Sequence, residues 1–322
     1  MKILITGGGG FLGFRLARTL LARGTLGGKA IDGITLLDGA FPPGVESLQK
    51  VKAVTGDVSD EKTIASVCKP DTDAVFHLAA VVSGQAESDF DLGMRVNLKG
   101  IESLLAQMRT CVKPPRLVYT SSVAAFGGDL PDVLDDSTIA NPQTSYGAQK
   151  VIGEYLITDY TRKGYIDGRS LRLPTIVVRA GKPNAAASSF ASGVIREPLN
   201  GVVSECPVSP GTGVWLLSPG KVVDAFIHAW ELPPETWGTQ RWLNLPGITA
   251  SVAQMVEAMR KVAGDAAAKR VVYKADARIQ AIVKTWPVNF RTPRALAMGF
   301  KPDADVESVI RDYIADEKIK VA

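Results

Sequence analysis

The first half of the chain alternates between short apolar runs and longer segments of helical spacing. Continuous apolar runs are typical of strands that helices cover on both faces, and they predict strands near residues 2–6, 33–38, 51–55, 73–78, 116–121 and 169–173. The segments between them carry apolar residues at intervals of three and four, which predicts helices near 11–23, 60–69, 91–109 and 145–163. Strands that alternate with helices in this way form βαβ units. We therefore expect an α/β fold built on a doubly wound parallel sheet.

The composition of the chain changes after Pro174, where Gly, Pro, Ser and Asn become frequent. Residues 180–213 are predicted as loops and short elements. Helical spacing returns near 221–230 and 251–263. Ser251 and Gln254 fit a capping box at the start of the second of these segments. A chain of 322 residues commonly splits into two lobes. We expect a sheet-based domain that comprises residues 1–174 and 219–247. The smaller C-terminal substrate-binding lobe is expected to comprise residues 175–218 and 248–322.

Charge and cysteine content exclude several classes of protein. The 37 Lys and Arg residues nearly balance the 33 Asp and Glu residues, for a net charge of +4, and no basic run interleaved with aromatics predicts nucleic-acid binding. Cys68, Cys111 and Cys206 lie far apart without a CxxC pair, and the chain has two histidines, so we predict neither a disulfide framework nor a metal site. The N-terminal apolar run is too short for a signal sequence or a membrane span. We expect a cytoplasmic protein that binds no membrane.

A glycine-rich turn follows the first predicted strand. Its sequence, Thr6-Gly7-Gly8-Gly9-Gly10-Phe11-Leu12-Gly13, leads into an amphipathic helix, and strand, glycine turn and helix in this order are the context of a dinucleotide site. Glycines permit the tight turn, the approach of the backbone to a pyrophosphate and close packing of helix on strand, while the helix N-terminus attracts the phosphates. The spacing fits GxxGxxG from Gly7 and GxGxxG from Gly8, and Gly10 and Gly13 belong to both patterns.

The second predicted strand ends at Asp38. A carboxylate at this position accepts hydrogen bonds from both hydroxyls of an adenosine ribose, and it repels a 2′-phosphate. The following residues, Gly39-Ala40-Phe41, offer no arginine that would neutralise such a phosphate. The sequence therefore predicts NAD rather than NADP.

Tyr146 and Lys150 lie four residues apart on a predicted helix, so their side chains share one face. A free tyrosine has a pKa of about 10, which makes it a poor base at neutral pH. A neighbouring ammonium favours the phenolate, so we expect Lys150 to lower the pKa of Tyr146 and to make it a base for an alcohol proton. By itself the YxxxK spacing also fits a buried tyrosine beside a surface pair of Lys150 and Glu154.

Further polar residues favour the catalytic interpretation. The strand from Arg116 ends in Tyr119-Thr120-Ser121-Ser122, which brings hydroxyls to the carboxyl edge of the sheet, where ligands of open α/β sheets bind. Asn97 shares a helix face with Ile101 and Leu104, and a buried amide needs partners. The pattern supports a structural role for Asn97 as well as a catalytic one.

Together these motifs resemble the extended short-chain dehydrogenase/reductases, the NAD-dependent epimerase/dehydratase superfamily. The motifs are Thr6-Gly7-x-x-Gly10-x-x-Gly13, Asp57-Val58, His77-Leu78-Ala79-Ala80, Asn97, Ser122 and Tyr146-x-x-x-Lys150. The resemblance implies a Rossmann fold with NAD as cofactor, Tyr146 as acid and base, Lys150 on the nicotinamide ribose and Ser122 on the reacting oxygen. It also implies a homodimer packed through the helices at 92–109 and 145–163. His77 is then a structural residue of its strand.

On this resemblance the residues of the expected site divide into three sets. The catalytic residues are Ser122, Tyr146, Lys150 and Asn97. The residues expected to bind the cofactor are Gly7, Gly10, Phe11, Leu12, Gly13, Asp38, Asp57, Val58, Ala79, Ala80, Asn97, Tyr146, Lys150 and Pro174. Among them Asp57 and Val58 border the adenine, and Ala79 and Ala80 the pyrophosphate. The residues expected to bind a small-molecule substrate are Ser83, Ser122, Thr144, Tyr146, Arg179 and Lys182.

The segment from Leu171 to Phe190 is similar to dehydrogenases of this family that act on the four-carbon sugar acid D-erythronate. The same holds for two shorter stretches, Ser122 to Gly128 with Leu130-Pro131 and Arg196 to Leu199. The similarity implies oxidation of the substrate at C2 to 2-oxo-tetronate, with NADH as the second product. A carboxylate substrate needs a cation, and Arg179 and Lys182 lie just beyond the sixth predicted strand. Arg179 fits a structural ion pair equally well.

Three other functions share some of these residues. A nucleotide-sugar 4-epimerase uses the same Ser, Tyr, Lys and NAD, and the length of the chain does not separate it from a dehydrogenase. A dehydratase fits less well, because Thr120 is followed by Ser121 and Ser122 instead of an acidic pair. A non-catalytic protein that senses the dinucleotide commonly lacks the tyrosine or the lysine, so the presence of both Tyr146 and Lys150 counts against it.

Overall fold

The computed structural model describes residues 1–181 and 187–320. The chain forms two compact units, with these bounds: Met1–Ala125, Thr144–Arg172 and Val223–Leu243 in the first, and Phe126–Gln143, Leu173–Val222 and Asn244–Ala322 in the second. The segment Phe126–Gln143 thus belongs to the second unit, although the sequence pattern places it in the sheet-based domain. The reason is a long-range pairing, because Leu134 forms a parallel β-bridge with Phe290 of the same unit.

The strands of the described residues are β1 Lys2–Thr6, β2 Thr25–Leu26, β3 Lys29–Ala30, β4 Gly33–Asp38, β5 Val51–Thr55, β6 Ala74–His77, β7 Arg116–Ser122, β8 Asp167–Leu173, β9 Thr175–Ile176, β10 Ser204–Cys206, β11 Gly213–Leu217, β12 Trp242–Asn244, β13 Ile248–Ser251 and β14 Val271–Tyr273. The α-helices are α1 Phe11–Arg23, α2 Glu61–Val67, α3 Ser83–Ser88, α4 Phe90–Gly93, α5 Gly100–Met108, α6 Ser145–Arg162, α7 Ser189–Leu199, α8 Pro219–Glu231, α9 Pro234–Trp237, α10 Val252–Ala263, α11 Asp265–Ala268, α12 Ala277–Lys284, α13 Pro293–Ala297 and α14 Val306–Asp316. A π-helix covers Met94–Lys99, and 3₁₀ turns cover Val45–Ser47 and Val123–Ala125.

The central sheet of the described residues has seven strands in the order β12-β8-β7-β6-β1-β4-β5. β1 pairs in parallel with β4 and β6, and so do β4 with β5 and β6 with β7. The chain builds one side of β1 with β4 and β5 and then crosses to β6 on the other side. The carboxyl ends of β1 and β6 therefore meet at a topological switch point, which is where ligands of open α/β sheets bind.

The strands predicted for the first half are confirmed as β1, β4, β5, β6, β7 and β8. Helices cover the sheet, so five of these strands are largely buried, whereas β5 at the edge of the sheet is partly exposed. The seventh strand, β12, was not predicted, because three residues are too few to show a pattern. The α/β fold with a doubly wound Rossmann-type sheet is thus the observed architecture.

The helices predicted for the first unit are confirmed, with one change of geometry. The segment predicted near 91–109 consists of α4, the π-helix and α5 in succession. Ile101, Leu105 and Met108 from this segment are fully buried against the sheet.

The capping box of Ser251 and Gln254 is also confirmed at the start of α10. No helix in the described ranges combines the length and the apolarity needed to cross a membrane.

The second unit has its own apolar core, and most residues of α7 are buried. Residues 180–213 were predicted as loops and short elements, and for Ser189–Leu199 this prediction was wrong. Serine, glycine and proline give α7 a weak intrinsic preference for helix. Burial of Phe190, Val194 and Ile195 in the core stabilises it instead.

Candidate active site

The glycine turn between β1 and α1 packs against the neighbouring strand. The Gly7 N–H donates to the carbonyl of Leu37 at 2.8 Å, and Gly7 has a φ of +71°, in the left-handed region that favours glycine. A Cβ on Gly13 would lie 2.1 Å from the carbonyl oxygen of Gly7, so only glycine permits this approach of helix and turn. α1 begins at Phe11, and its N-cap, Gly10, makes no side-chain hydrogen bond to the first turn. An uncapped helix N-terminus of this kind fits the pyrophosphate of a dinucleotide.

Asp38, the last residue of β4, lies over this turn. Its Oδ2 accepts the Gly9 N–H at 3.0 Å and its Oδ1 accepts the Ala40 N–H at 3.4 Å. Both backbone donors fix the carboxylate while the side chain stays half-exposed. A carboxylate so placed suits the two hydroxyls of a ribose, and the residues present therefore fit NAD.

The loop that follows β6 lies directly against the glycine turn. A Cβ on Gly7 would lie 2.7 Å from the Ala79 nitrogen and 2.8 Å from the Leu78 carbonyl carbon. Ala79 and Ala80 are half-buried there. The structure thus brings these two alanines beside Gly7, and their contact with the cofactor remains a prediction.

Asp57 and Val58 follow β5. The Asp57 carboxylate accepts the Ser59 N–H at 2.8 Å and the Ser59 hydroxyl at 2.7 Å, and it pairs with Arg95. Burial opposes its charged form, but Ser59 and Arg95 together lower the pKa of Asp57. Val58 packs in the core of the first unit, where a Cβ on Gly100 would lie 2.9 Å from its Cγ1. The adenine contacts predicted for both residues remain predictions.

Asn97 lies on the π-helix and is 2% exposed. Its Oδ1 accepts the Val81 N–H at 2.8 Å, and its Nδ2 donates to the Gln149 Oε1 at 2.8 Å. The side chain therefore ties the loop after β6 to α6, the helix that carries Tyr146 and Lys150. π-helical turns often lie at functional sites, and the catalytic and cofactor roles of Asn97 remain predictions.

The structure brings Ser122, Tyr146 and Lys150 together at the carboxyl edge of the sheet. Ser122 ends β7, and its hydroxyl hydrogen-bonds the phenol of Tyr146. Tyr146 lies in the first turn of α6, whose N-cap Thr144 accepts the Gly147 N–H at 3.1 Å. Lys150 follows one turn later, with its Nζ 5.5 Å from the centre of the Tyr146 ring.

The pKa values of this group differ from the expectation. Burial raises the pKa of Tyr146 to about 12, although a hydrogen bond from Ser122 opposes the rise. Burial also lowers the pKa of Lys150 to about 7, against the opposing charge of Glu154. The predicted lowering of the tyrosine pKa by Lys150 is therefore wrong. Desolvation of the phenol dominates, and a lysine with a pKa near neutrality carries only part of its charge at pH 7.

Aromatic rings surround the ammonium group of Lys150. Its Nζ donates to the Thr120 carbonyl at 2.8 Å and lies 4.8 Å from the centre of the Tyr119 ring. Tyr119 stacks on His77 with 5.7 Å between ring centres. Burial lowers the pKa of His77 to about 3, and the Thr6 hydroxyl hydrogen-bonds its Nδ1 at 2.6 Å. His77 is thus a neutral residue of the strand, as the resemblance implies.

Glu154 is part of a buried network that sequence reasoning missed. It was considered only as a surface partner of Lys150, but both residues are 1% exposed. The Glu154 carboxylate accepts two hydrogen bonds from Arg172, at 2.8 and 2.6 Å, and one from the Ser121 hydroxyl. Arg172 in turn lies 4.0 Å from the centre of the Trp242 ring. The spacing of Glu154 from Lys150 was the available signal, whereas its partner on β8 could not be read from the sequence.

Arg179 lies in the second unit beside a second guanidinium. The Arg196 Nη1 donates to the Arg179 carbonyl at 2.8 Å, and the Arg179 N–H donates to the Ser192 hydroxyl at 3.0 Å. Burial and the charge of Arg196 lower the pKa of Arg179. Arg196 also pairs with Glu197 at 2.6 Å.

The remaining predicted residues have the following places. Ser83 is the first residue of α3, Thr144 is the N-cap of α6, and Pro174 lies between β8 and β9. Phe11 and Leu12 form the first turn of α1. Lys182 lies outside the described residues. Within the described ranges, no group of three or more His, Cys, Asp or Glu side chains could hold a metal ion.

Comparison with known families agrees with this geometry. Residues 3–231 match the model of the NAD dependent epimerase/dehydratase family. The chain belongs to this family. The match covers both the glycine turn and the group of Ser122, Tyr146 and Lys150, and it supports NAD as the cofactor of this family member.

Relatives with curated names extend the match over nearly the whole chain. A D-erythronate dehydrogenase of Cupriavidus necator is 56% identical over 320 residues, which cover 98% of each chain. A D-erythronate dehydrogenase of Haemophilus influenzae is 42% identical over 314 residues, covering 98% of this chain and 99% of the relative. Like these relatives, the protein is an enzyme, an oxidoreductase of the dehydrogenase type.

Among solved structures, the nucleoside-diphosphate-sugar epimerase from Agrobacterium tumefaciens superimposes with a TM-score of 0.94. It is 39% identical in sequence, and the match covers 100% of this chain and 96% of that structure. This chain and the epimerase thus share one fold, and a shared fold does not separate an epimerase from a dehydrogenase.

Proposed function

We propose that this family member oxidises D-erythronate at C2 to 2-oxo-tetronate, with NAD as the hydride acceptor. The observation that carries the proposal is the 56% identity over 98% of both chains to a D-erythronate dehydrogenase. The group of Ser122, Tyr146 and Lys150 supports it, because an alcohol oxidation needs a base at the hydroxyl and a donor that holds the oxygen.

In the proposed reaction the C2 hydroxyl loses its proton to the phenolate of Tyr146, and the C2 hydrogen leaves with its electron pair. NAD, when bound, supplies the acceptor for that hydride. The Ser122 hydroxyl donates to the oxygen as it becomes a carbonyl. Lys150 is fixed by the Thr120 carbonyl at 2.8 Å, and its protonated form, which is partly populated at pH 7, offsets part of the cost of forming the phenolate. The low exposure of Lys150 keeps water from weakening this interaction.

The carboxylate of the substrate needs a cation, and Arg179 is the residue proposed for it. A guanidinium binds a carboxylate through two parallel hydrogen bonds. Burial and the neighbouring charge of Arg196 lower the pKa of Arg179, and a bound carboxylate would favour the charged guanidinium. Lys182, Ser83 and Thr144 are proposed as further substrate contacts.

Purified protein and NAD, assayed by nicotinamide absorbance against a panel of four- to six-carbon sugar acids, test the proposal. NADH formed in proportion to D-erythronate consumed is expected. Because burial raises the pKa of Tyr146 to about 12, kcat/KM should rise with pH through the neutral range. Tyr146→Phe should lower kcat/KM by about 10² to 10⁴. Turnover of this variant at the wild-type rate would rule out Tyr146 as the base.

Nucleotide-sugar 4-epimerisation is the second candidate function. The 39% sequence identity over the whole of this chain to the Agrobacterium nucleoside-diphosphate-sugar epimerase favours it. An epimerase returns the hydride to its substrate and regenerates NAD, so no NADH accumulates. Epimerised UDP-sugar without NADH from any sugar acid would move the function to this candidate and leave the roles of Ser122, Tyr146 and Lys150 intact.

We also propose that the enzyme is a homodimer that packs through the helices at 92–109 and 145–163. α6 exposes two large apolar side chains, Ile152 at 41% and Tyr155 at 68%. Sedimentation equilibrium should give twice the chain mass for the wild type. Tyr155→Glu should shift the equilibrium towards the monomer, because burial of a carboxylate at an interface is costly.

A further inference from the structure

Two cysteines that are far apart in sequence come together at the ends of α2 and α5. Cys68 is the C-cap of α2, and its N–H donates to the Ile64 carbonyl at 2.8 Å. Cys111 lies in the turn after α5, where its N–H donates to the Met108 carbonyl at 3.1 Å. The two thiols lie close enough for each to shift the pKa of the other. The sequence offered no CxxC spacing that would have paired them.

Hydrogen bonds on both sides of the thiols tie the two turns together. The Cys111 thiol lies 3.5 Å from the carbonyl of Lys69, the residue after Cys68. The Gln107 Nε2 donates to the Cys68 carbonyl at 3.1 Å, and the Val112 N–H donates to the Pro70 carbonyl at 2.8 Å. The proximity of the thiols is therefore built into the backbone of both turns.

The two cysteines differ in exposure. Cys68 is fully buried within the apolar core of the first unit. Cys111 is half-buried and packs on that core from outside. A small polar oxidant can therefore reach the Cys111 thiol, whereas the Cys68 thiol is shielded from solvent.

We propose that Cys68 and Cys111 form a redox-active dithiol, which a peroxide converts into an intramolecular disulfide. Cys111 is the attacking residue and Cys68 the resolving one. This is a modification site separate from the active site, and it does not depend on the function proposed above.

The chemistry balances with hydrogen peroxide as the oxidant. The Cys111 thiolate attacks one peroxide oxygen, the O–O bond breaks, and Cys111 becomes a sulfenic acid while the other oxygen leaves as water after protonation. The Cys68 sulfur then attacks the sulfenic sulfur, the S–O bond breaks, and the hydroxyl leaves as water with the Cys68 proton. Two thiols and one hydrogen peroxide thus give one disulfide and two waters.

The electrostatics of the pair favour this order of steps. The Cys68 thiol lowers the pKa of Cys111, against burial and the charge of Asp71. The Cys111 thiol and burial raise the pKa of Cys68. The thiolate, which is the reactive form, therefore develops on the more accessible sulfur.

The position of the pair predicts its effect. Both turns connect the C-terminal end of a helix to the start of a strand, α2 to β6 and α5 to β7. In a parallel sheet these turns lie at the amino ends of the strands. Ser122 and Tyr146 lie at the opposite edge, at the carboxyl ends. The disulfide should thus raise stability by constraining the unfolded chain and leave the catalytic group unchanged.

The test treats the reduced full-length protein with one equivalent of hydrogen peroxide. Peptide mapping without reductant should then identify a Cys68–Cys111 linked peptide, the intact mass should fall by two hydrogen atoms, and Tm should rise by several degrees. Dithiothreitol should reverse all three changes. Enzymatic activity should stay within about twofold.

Cysteine variants separate the proposed roles. Cys206→Ser is the matched control, because Cys206 is the remaining cysteine and is buried in the second unit; this variant should oxidise like the wild type. Cys68→Ser should accumulate a sulfenic acid on Cys111 that dimedone traps. Cys111→Ser should leave Cys68 reduced.

Three results of the peroxide experiment on the wild-type protein would overturn the proposal. They are oxygen added to Cys111 without a linked peptide, a disulfide that involves Cys206 or joins two chains, and no thiol lost at all. Each would mean that the two cysteines are packing residues of the core.

Discussion

The Nζ atom of Lys150 lies 4.8 Å from the centre of the Tyr119 ring, within the range of a cation–π interaction. Tyr119 is fully buried, and its hydroxyl has no hydrogen-bond partner among the described residues. The ring therefore interacts with Lys150 while the hydroxyl contributes little. Tyr119 is a positioning residue, since it holds the ammonium beside Tyr146 without touching substrate.

Tyr119→Leu should lower kcat by about tenfold or more, since a desolvated cation–π interaction contributes about 2 kcal/mol. Loss of the ring should also lower the pKa of Lys150 further, so that the charge that favours the phenolate is lost at a lower pH than in the wild type. Tyr119→Phe is the matched control, because it keeps the ring and removes only the hydroxyl. Equal kcat values and pH profiles for the two variants would contradict this role.

The buried pair of Glu154 and Arg172 is expected to be costly to break. Glu154→Gln leaves the charge of Arg172 in the core without its carboxylate and should reduce the free energy of unfolding by about 3 to 5 kcal/mol. Asp159→Asn on the same helix is the control, since Asp159 and Arg162 are 57% and 66% exposed and such pairs contribute about 0 to 1 kcal/mol. Urea unfolding measures both, and similar losses would refute the distinction.

His77 should make the enzyme sensitive to acid. Its folded-state pKa of about 3 is below the ordinary value of 6.5, so between these pH values the unfolded chain binds more protons than the folded one. Above pH 6.5 the contribution of His77 to the free energy of unfolding therefore has its full value. This contribution decreases as the pH falls from 6.5 towards 3, and it does not change further below pH 3.

His77→Gln should flatten this part of the pH dependence, measured by urea unfolding from pH 7 to pH 3.5. The other histidine of the chain, His228, lies on α8 and supplies the control variant His228→Gln. A pH dependence that is the same in both variants would assign the acid sensitivity to carboxylates instead.

Asp38 should select NAD over NADP. Asp38→Asn keeps a hydrogen-bond acceptor for the Gly9 N–H but removes the charge that repels a 2′-phosphate. The ratio of kcat/KM for NAD to that for NADP should fall by about tenfold or more. Asp32, just before the opposite end of the same strand β4, gives the control Asp32→Asn, for which an unchanged ratio is expected. If Asp38→Asn also left the ratio unchanged, cofactor selection would lie elsewhere.

The sequence pattern was sufficient for the architecture of the first unit. Six sheet strands and the helices between them could be predicted because their patterns are local: buried strands show continuous apolar runs, and helices repeat every three or four residues. The spacing of Tyr146 and Lys150 placed both on one helix face for the same reason, and the motifs of the glycine turn and the YxxxK helix identified the family.

Contacts between distant segments could not be predicted in this way. The pairing of Glu154 with Arg172, the proximity of Cys68 to Cys111, and the β-bridge that places Phe126–Gln143 in the second unit each join parts of the chain with no shared local pattern. The helix α7 belongs to the same class, because its stability comes from burial rather than from its residues' own preference.

The sequence by itself thus determined which residues are proposed to carry the chemistry: the glycine turn, Asp38, Ser122, Tyr146 and Lys150. Only the tertiary structure decided their protonation, raising the pKa of Tyr146 to about 12 and lowering that of Lys150 to about 7. The physical reason is that residue type and spacing are properties of the chain, whereas desolvation depends on every neighbour that folding brings around a charge.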